Sequence, residues 1–185
     1  MATEKDNAML EISQLRVCYG ESEVLHGVDM TLRPGEIVAL MGRNGMGKTT
    51  LMKSLIGMVP VRSGHIALDG QEITNLPSYQ RVAAGLAFVP QGRMVFSAMT
   101  VQENIETGLL VRGGKTIPEN LYTLFPGLKE MRTRRGGNLP GGQQQQLAIA
   151  CALATGPKVR SRDEPTEGTQ PSTILPHART ARRNR

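Results

Sequence analysis

Apolar and polar positions alternate through LEISQLRVCY (10–19) and EVLHGVDMTL (23–32), the period of half-buried strands. A third strand, EIVAL (36–40), is predicted after the Pro34-Gly35 turn. Residues 42–47 form a glycine-rich loop. Leu51, Met52, Leu55 and Ile56 then share one face of a helix over 49–58. HIALDGQEI (65–73) reads as a strand with an Asp69-Gly70 turn. A short helix over 77–84 and a short buried strand, LAFVP (86–90), follow. The stretch 101–135 predicts two or three amphipathic helices, broken at Gly113-Gly114, Pro118 and Pro126-Gly127. A glycine-rich loop (136–142), a helix (143–155) and a strand position (158–162) complete the pattern. No periodicity is visible after Pro165, and there is no internal repeat. Early antiparallel strands followed by strand–loop–helix units predict an α/β core with an antiparallel β subdomain and a helical lobe.

The 185 residues, 39% of them hydrophobic, suffice for a packed core and argue against disorder. No apolar run approaches the roughly 20 residues of a spanning helix. The charged N-terminus lacks a signal core, so a cytoplasmic location is expected. Cys18 and Cys151 lack metal-ligand spacing and read as reduced thiols. His26, His65 and His177 show no metal spacing either. The net charge of +6 raises nucleic acid as a partner, but seven basic and three acidic residues fall after position 157. The basicity is therefore concentrated in Lys158, Arg160, Arg162 and a tail of four arginines. With aromatics at 3%, a base-stacking surface is excluded and no nucleic-acid partner is expected.

Gly42-Arg43-Asn44-Gly45-Met46-Gly47-Lys48-Thr49 fits the phosphate-loop pattern G-x-x-x-x-G-K-[ST], between a predicted strand and a predicted helix. Glycines let successive N–H groups turn inward on phosphate oxygens, and the helix N-terminus adds its partial positive charge. Lys48 supplies a point charge for the β/γ-phosphates, and the Thr49 hydroxyl suits Mg²⁺, with Thr50 beside it.

Four further segments, in order, resemble the ATP-binding subunits of ABC transporters. Tyr19 stands ahead of the loop, where that family keeps an adenine-stacking aromatic. Gln91, in FVPQGR, resembles the glutamine that touches Mg²⁺, water and the permease. LPGGQ (139–143) resembles the LSGGQ signature, so Gly141, Gly142 and Gln143 are implied to hold the γ-phosphate of a second subunit's ATP. DEPTEG (163–168) resembles the Walker B end, with Asp163 for the Mg²⁺ shell and Glu164 for the attacking water. The resemblance runs over about residues 9–175. GRNGMGKTTLMKSLIG, GRMVF, MTVQEN and GGQQQQLAIA resemble the branched-chain amino acid and urea importers, and DEPTEG-x-QPS the urea type.

The resemblance implies one ABC-type domain over 1–185: a catalytic core (9–94 and 156–175), a helical subdomain with the signature loop (95–155) and an irregular basic tail (176–185). It implies a P-loop NTPase fold, ATP and Mg²⁺ as cofactors, and catalysis by Glu164 and Gln91. The implied partners are a second ATP-binding subunit, identical or not, membrane permease subunits and, indirectly, a solute-binding protein. The implied location is the inner face of the cell membrane. The implied function is ATP-driven uptake of urea, an amide or a branched-chain amino acid.

Three departures from the family pattern carry an alternative, a catalytically impaired chain that binds nucleotide at most. Pro140 replaces the signature serine and brings neither hydroxyl nor N–H. Val159-Arg160-Ser161-Arg162 replaces an apolar run expected to be buried on both faces, which predicts a strand that is distorted, exposed or paired in an unusual way, and a poorly placed Asp163 and Glu164. The family's later elements, including a switch histidine, are not recognisable in TILPHARTARRNR, and a C-terminally incomplete or frameshifted product is expected.

Overall fold

The computed structural model describes residues 8–163 apart from Arg93. The chain divides into two compact units, with the boundary between Leu86 and Ala87.

The first unit is built on β1 (Leu10–Tyr19), β2 (Ser22–Leu32), β3 (Ser63–Leu68) and β4 (Gln71–Glu72), in an antiparallel sheet of order β2-β1-β3-β4. Leu10, Ile12, Leu15 and Val17 alternate inward along β1 and meet Ile66 and Leu68 of β3. The β1 alternation breaks once, at Gln14, which takes φ +49° in a bulge. Asp29 of β2 holds that bulge by accepting from the Gln14 backbone N–H at 2.7 Å. Gly64 faces it from β3, where a Cβ would lie 2.4 Å from the Gln14 carbonyl oxygen. Asp69 and Gly70, both at positive φ, make the predicted tight turn between β3 and β4. Two helices complete the unit: α1 (Lys48–Leu55) and α2 (Ser78–Ala84).

The strand predicted over 36–40 does not form. Ile37 and Val38 are 65% and 46% exposed, and Met41 is 92% exposed. Among the described residues no strand pairs with this segment. An apolar run becomes a parallel strand only where neighbouring strands take its N–H and C=O groups and cover its faces. The apolar pattern was therefore necessary but not sufficient here.

The second unit follows β5 (Leu86–Val89), which pairs with β6 (Val159–Arg162). Between them lie α3 (Val101–Leu109), a 3₁₀ turn at Leu110–Arg112, α4 (Glu119–Leu124), α5 (Pro126–Glu130) and α6 (Gly141–Ala154). The breaks fall at the predicted glycines and prolines. Val101, Ile105 and Leu109 on α3, Leu121, Phe125 and Leu128 on the short helices, and Leu147, Ala150 and Ala154 on α6 form one apolar core. α3 and α6 approach closely at Gly108, where a Cβ would meet the Cys151 carbonyl oxygen at 2.4 Å. None of the described helices is long and apolar enough to cross a membrane.

Candidate functional site

The phosphate-loop residues lie in the first unit, with the loop feeding directly into α1. Gly45 and Gly47 take φ +83° and +85°, backbone that side chains disfavour. Gly47 is also sterically required: a Cβ there would lie 2.8 Å from Leu25 Cδ2 and 3.3 Å from the Val24 carbonyl, so the loop rests on β2. Gly47 is the N-cap of α1, and no side chain caps the first turn. The leading N–H groups of a helix have no partner within it, which leaves them for a ligand. Lys48 Nζ donates to the carbonyls of Gly42 and Arg43 at 2.7 and 2.9 Å, so the ammonium folds over the loop. Arg43, Asn44, Met46 and Thr49 are exposed, while Thr50 is buried. Tyr19, the last residue of β1, is half exposed beside the Gly20-Glu21 turn.

The other predicted site residues lie in the second unit. The Asp163 N–H donates to the Val89 carbonyl at 3.0 Å, and Ser161 Oγ donates to the Ala87 carbonyl at 3.2 Å. The two contacts advance together, so β5 and β6 run in the same direction and end side by side. Carboxyl ends of parallel strands are where α/β folds bind ligands. Gln91 follows β5 at that end and is exposed, and Asp163 follows β6. Asp163 is 4% exposed, and its Oδ2 is buried without a hydrogen-bond partner among the described residues. A buried carboxylate oxygen with no donor is costly unless a cation or donor meets it. It therefore fits a metal ligand.

β6 forms as a regular strand despite its arginines. Arg160 is exposed, which spares it burial. Arg162 is half-buried, and its Nε and Nη2 are enclosed without partners among the described residues. Burial pushes the pKa of the Arg162 guanidinium down.

α6 begins at Gly141, two residues earlier than the predicted start, so Gly141, Gly142 and Gln143 all lie in its first turn. Pro140 is the N-cap and offers no side-chain cap; its carbonyl accepts from the N–H groups of Gln143 and Gln144. Gln144 Nε2 ties the turn to the Leu139 carbonyl at 3.0 Å. Gln143 Oε1 is buried and unpartnered. Tyr19 and Gly42–Thr50 thus belong to the first unit, and Gln91, Asp163 and the signature positions belong to the second. Glu164 and His177 lie outside the described residues.

Two features escaped the sequence reading. Thr100 and Glu103 cap α3 reciprocally, and T-V-Q-E is the pattern that signals it. Asn104, fully buried, accepts from the Phe96 N–H and donates to the carbonyls of Phe96, Met99 and Thr100. It fixes the loop that leads from Gln91 into α3.

Comparison with known proteins agrees with this arrangement. The sequence profile described as ABC transporter matches residues 25–167. The chain is 40% identical over 169 residues to the high-affinity branched-chain amino acid transport ATP-binding protein BraG of Pseudomonas aeruginosa, covering 90% of this chain and 72% of BraG. It is 37% identical over 166 residues to the probable branched-chain amino acid transport ATP-binding protein LivF of Archaeoglobus fulgidus, covering 88% and 70%. A solved ATP-binding subunit of an ABC transporter superposes with a TM-score of 0.83 at 27% identity, over 94% of this chain and 73% of that one. An ABC transporter cassette solved in its ADP conformation gives 0.78 at 26% identity, over 95% and 76%. The profile match, these identities and the loop-to-helix geometry show that the chain belongs to the ABC transporter family, as an ATP-binding ATPase subunit.

Proposed function

We propose that this chain binds Mg·ATP through Gly42–Thr50 and Tyr19 and drives import of a small polar solute through a membrane permease. The observation that carries the reading is the uncapped first turn of α1 behind Gly47, with Lys48 folded over the loop. An arriving triphosphate exchanges the Gly42 and Arg43 carbonyls on Lys48 for phosphate oxygens and meets the free N–H groups of the turn. Tyr19 offers an exposed ring for the adenine. Thr49, Gln91 and Asp163 are the residues that would hold Mg²⁺, which would supply charge neutralisation on the phosphates. The orphaned Asp163 Oδ2 supports its place in that set.

The first turn of α6 presents Gly141, Gly142 and Gln143 to the γ-phosphate of a second ATP-binding subunit, and Glu164 orients the water for in-line attack. The subunit pair and the permease work at the inner face of the cell membrane, with a solute-binding protein delivering cargo. BraG and LivF are named for branched-chain amino acid transport, which favours that solute class over urea or an amide. Pro140, which removes the signature hydroxyl, and the orphaned Arg162 beside Asp163 favour a second reading, a chain that binds ATP and turns it over slowly.

The test is thermal denaturation with and without Mg·ATP. Mg·ATP raises Tm in the protein as it stands and not in Lys48→Ala, since binding to the folded state stabilises it by mass action. Equal shifts in both proteins, or none in either, overturn the reading. ATP hydrolysis measured on the same samples separates full from slow turnover.

A further inference from the structure

We propose that Arg81, which lies outside every motif above, is a positioning residue for the phosphate loop: its guanidinium anchors the far end of the helix whose near end carries Lys48 and Thr49. The proposal rests on the reading of residues 42–50 as a nucleotide site and adds a residue that holds the site in place.

Arg81 sits on α2 and is 3% exposed. Arginine is almost never buried to that depth without dedicated partners. Here the acceptors are main-chain carbonyls. Nη1 donates to Ser54 and Leu55 at 2.7 and 2.8 Å, Nε to Leu76 at 2.8 Å, and Nη2 to Thr74 at 2.5 Å. Ser54 and Leu55 belong to the last turn of α1, whose carbonyls have no partner within the helix; just past it, the Gly57 N–H also donates to the Ser54 carbonyl at 3.1 Å. A cation there also faces the negative end of the helix dipole. Thr74 and Leu76 belong to the segment between β4 and α2. One planar fork thus ties two stretches of chain together, which a lysine ammonium, a single point of charge, cannot do.

The neighbouring backbone is shaped to admit the guanidinium. Gly57, just past α1, takes φ +81°, and a Cβ there would lie 3.0 Å from Arg81 Nε and 3.1 Å from Cζ. α1 is only eight residues long, about 12 Å at the helical rise. Over so short a rod, a tilt at the Ser54–Leu55 end displaces the Lys48 end by a similar amount. Misplacing a binding group by about 1 Å is enough to cost much of its effect.

The experiment compares three substitutions in the full chain: Arg81→Lys, Gly57→Ala, and a core control in β1, Leu10→Val or Leu10→Ala, whichever matches the Tm loss of Arg81→Lys. The strand partners of Leu10, which are Leu32 and Leu68, are not among the residues whose carbonyls hold Arg81. Mg·ATP affinity is measured well below every melting midpoint. Arg81→Lys is expected to weaken affinity roughly tenfold, Gly57→Ala to weaken it in the same direction, and the control to leave it unchanged. If Arg81→Lys does not fold, Gly57→Ala against its own Tm-matched control gives the same comparison. Affinity losses no larger than those of the matched control overturn the proposal and leave Arg81 as a structural residue only. Absence of Mg·ATP binding in the unsubstituted chain is a different failure, that of the nucleotide site itself, and removes the proposal with it.

Discussion

The Asp163 N–H meets the Val89 carbonyl at 3.0 Å, and this bond places a buried carboxylate at the carboxyl end of a parallel strand pair. Its Oδ2 has no donor among the described residues. Removing the charge should relieve the cost of an unsatisfied buried anion while removing a cation ligand. Asp163→Asn is therefore expected to raise Tm without nucleotide and to abolish most of the Mg²⁺ dependence of ATP affinity. Calorimetry of ATP binding with Mg²⁺ and with a chelator checks the second half. A variant that loses Tm and keeps its Mg²⁺ dependence would show that Asp163 is structural.

Arg162 presents the opposite imbalance. Two of its guanidinium nitrogens are enclosed and unpartnered on a strand where the family pattern is apolar. Leaving a buried donor unsatisfied costs about 1–3 kcal/mol, more for a charged group. Arg162→Leu is expected to stabilise the chain by an amount of that order, read as a higher urea midpoint at unchanged slope. Arg160→Leu, on the exposed side, should stay within about 0.5 kcal/mol. Equal effects from the two would sink the distinction drawn between them.

Much of this was legible in the sequence because it is local. The period-2 strands β1 and β2, the Asp69-Gly70 turn and the glycine loop before α1 depend on residues a few positions apart, and they form as read. The segment 36–40 failed because a parallel strand is defined by distant partners, which its own apolar run cannot reveal. Arg81 was invisible for the same reason: in PSYQRVAA it reads as a solvated helix residue, and only the carbonyls of Ser54, Leu55, Thr74 and Leu76 make it internal. β6 formed at the strand position read from the sequence, with Arg160 turned outward, one of the outcomes its arginines implied.

Pro140 occupies the N-cap of α6 and offers no side-chain acceptor to the first turn. A serine there typically contributes about 0.5–2 kcal/mol through its hydroxyl. Pro140→Ser should raise Tm and slow amide exchange at Gln143 and Gln144. It should not by itself restore full ATP turnover, because Arg162 remains beside Asp163. Wild-type-like family turnover from Pro140→Ser alone would show that the signature position is the whole defect.

Gly108 of α3 lies against Cys151 of α6: a Cβ on Gly108 would sit 2.4 Å from the Cys151 carbonyl oxygen and 2.9 Å from Ala154 Cβ. Neither contact can yield without the helices separating, since one is backbone and the other a Cβ. Gly108→Ala is expected to cost about 1–3 kcal/mol as an overpacked core site. The Cys151 thiol reports the separation. Burial pushes its pKa from 9.0 up to about 12, so in the folded chain it stays protonated and unreactive to thiol reagents at pH 8. The linkage has a defined sign: a raised folded pKa means the unfolded chain releases this proton first, so stability holds below pH 9 and declines between pH 9 and about 12. In Gly108→Ala, Cys151 should alkylate faster at pH 8, and the alkaline loss of stability should shrink as the thiol gains solvent. Mass spectrometry of the labelled peptide separates Cys151 from Cys18. Labelling of Cys151 at the wild-type rate would mean that α3 and α6 accommodate the methyl group without parting.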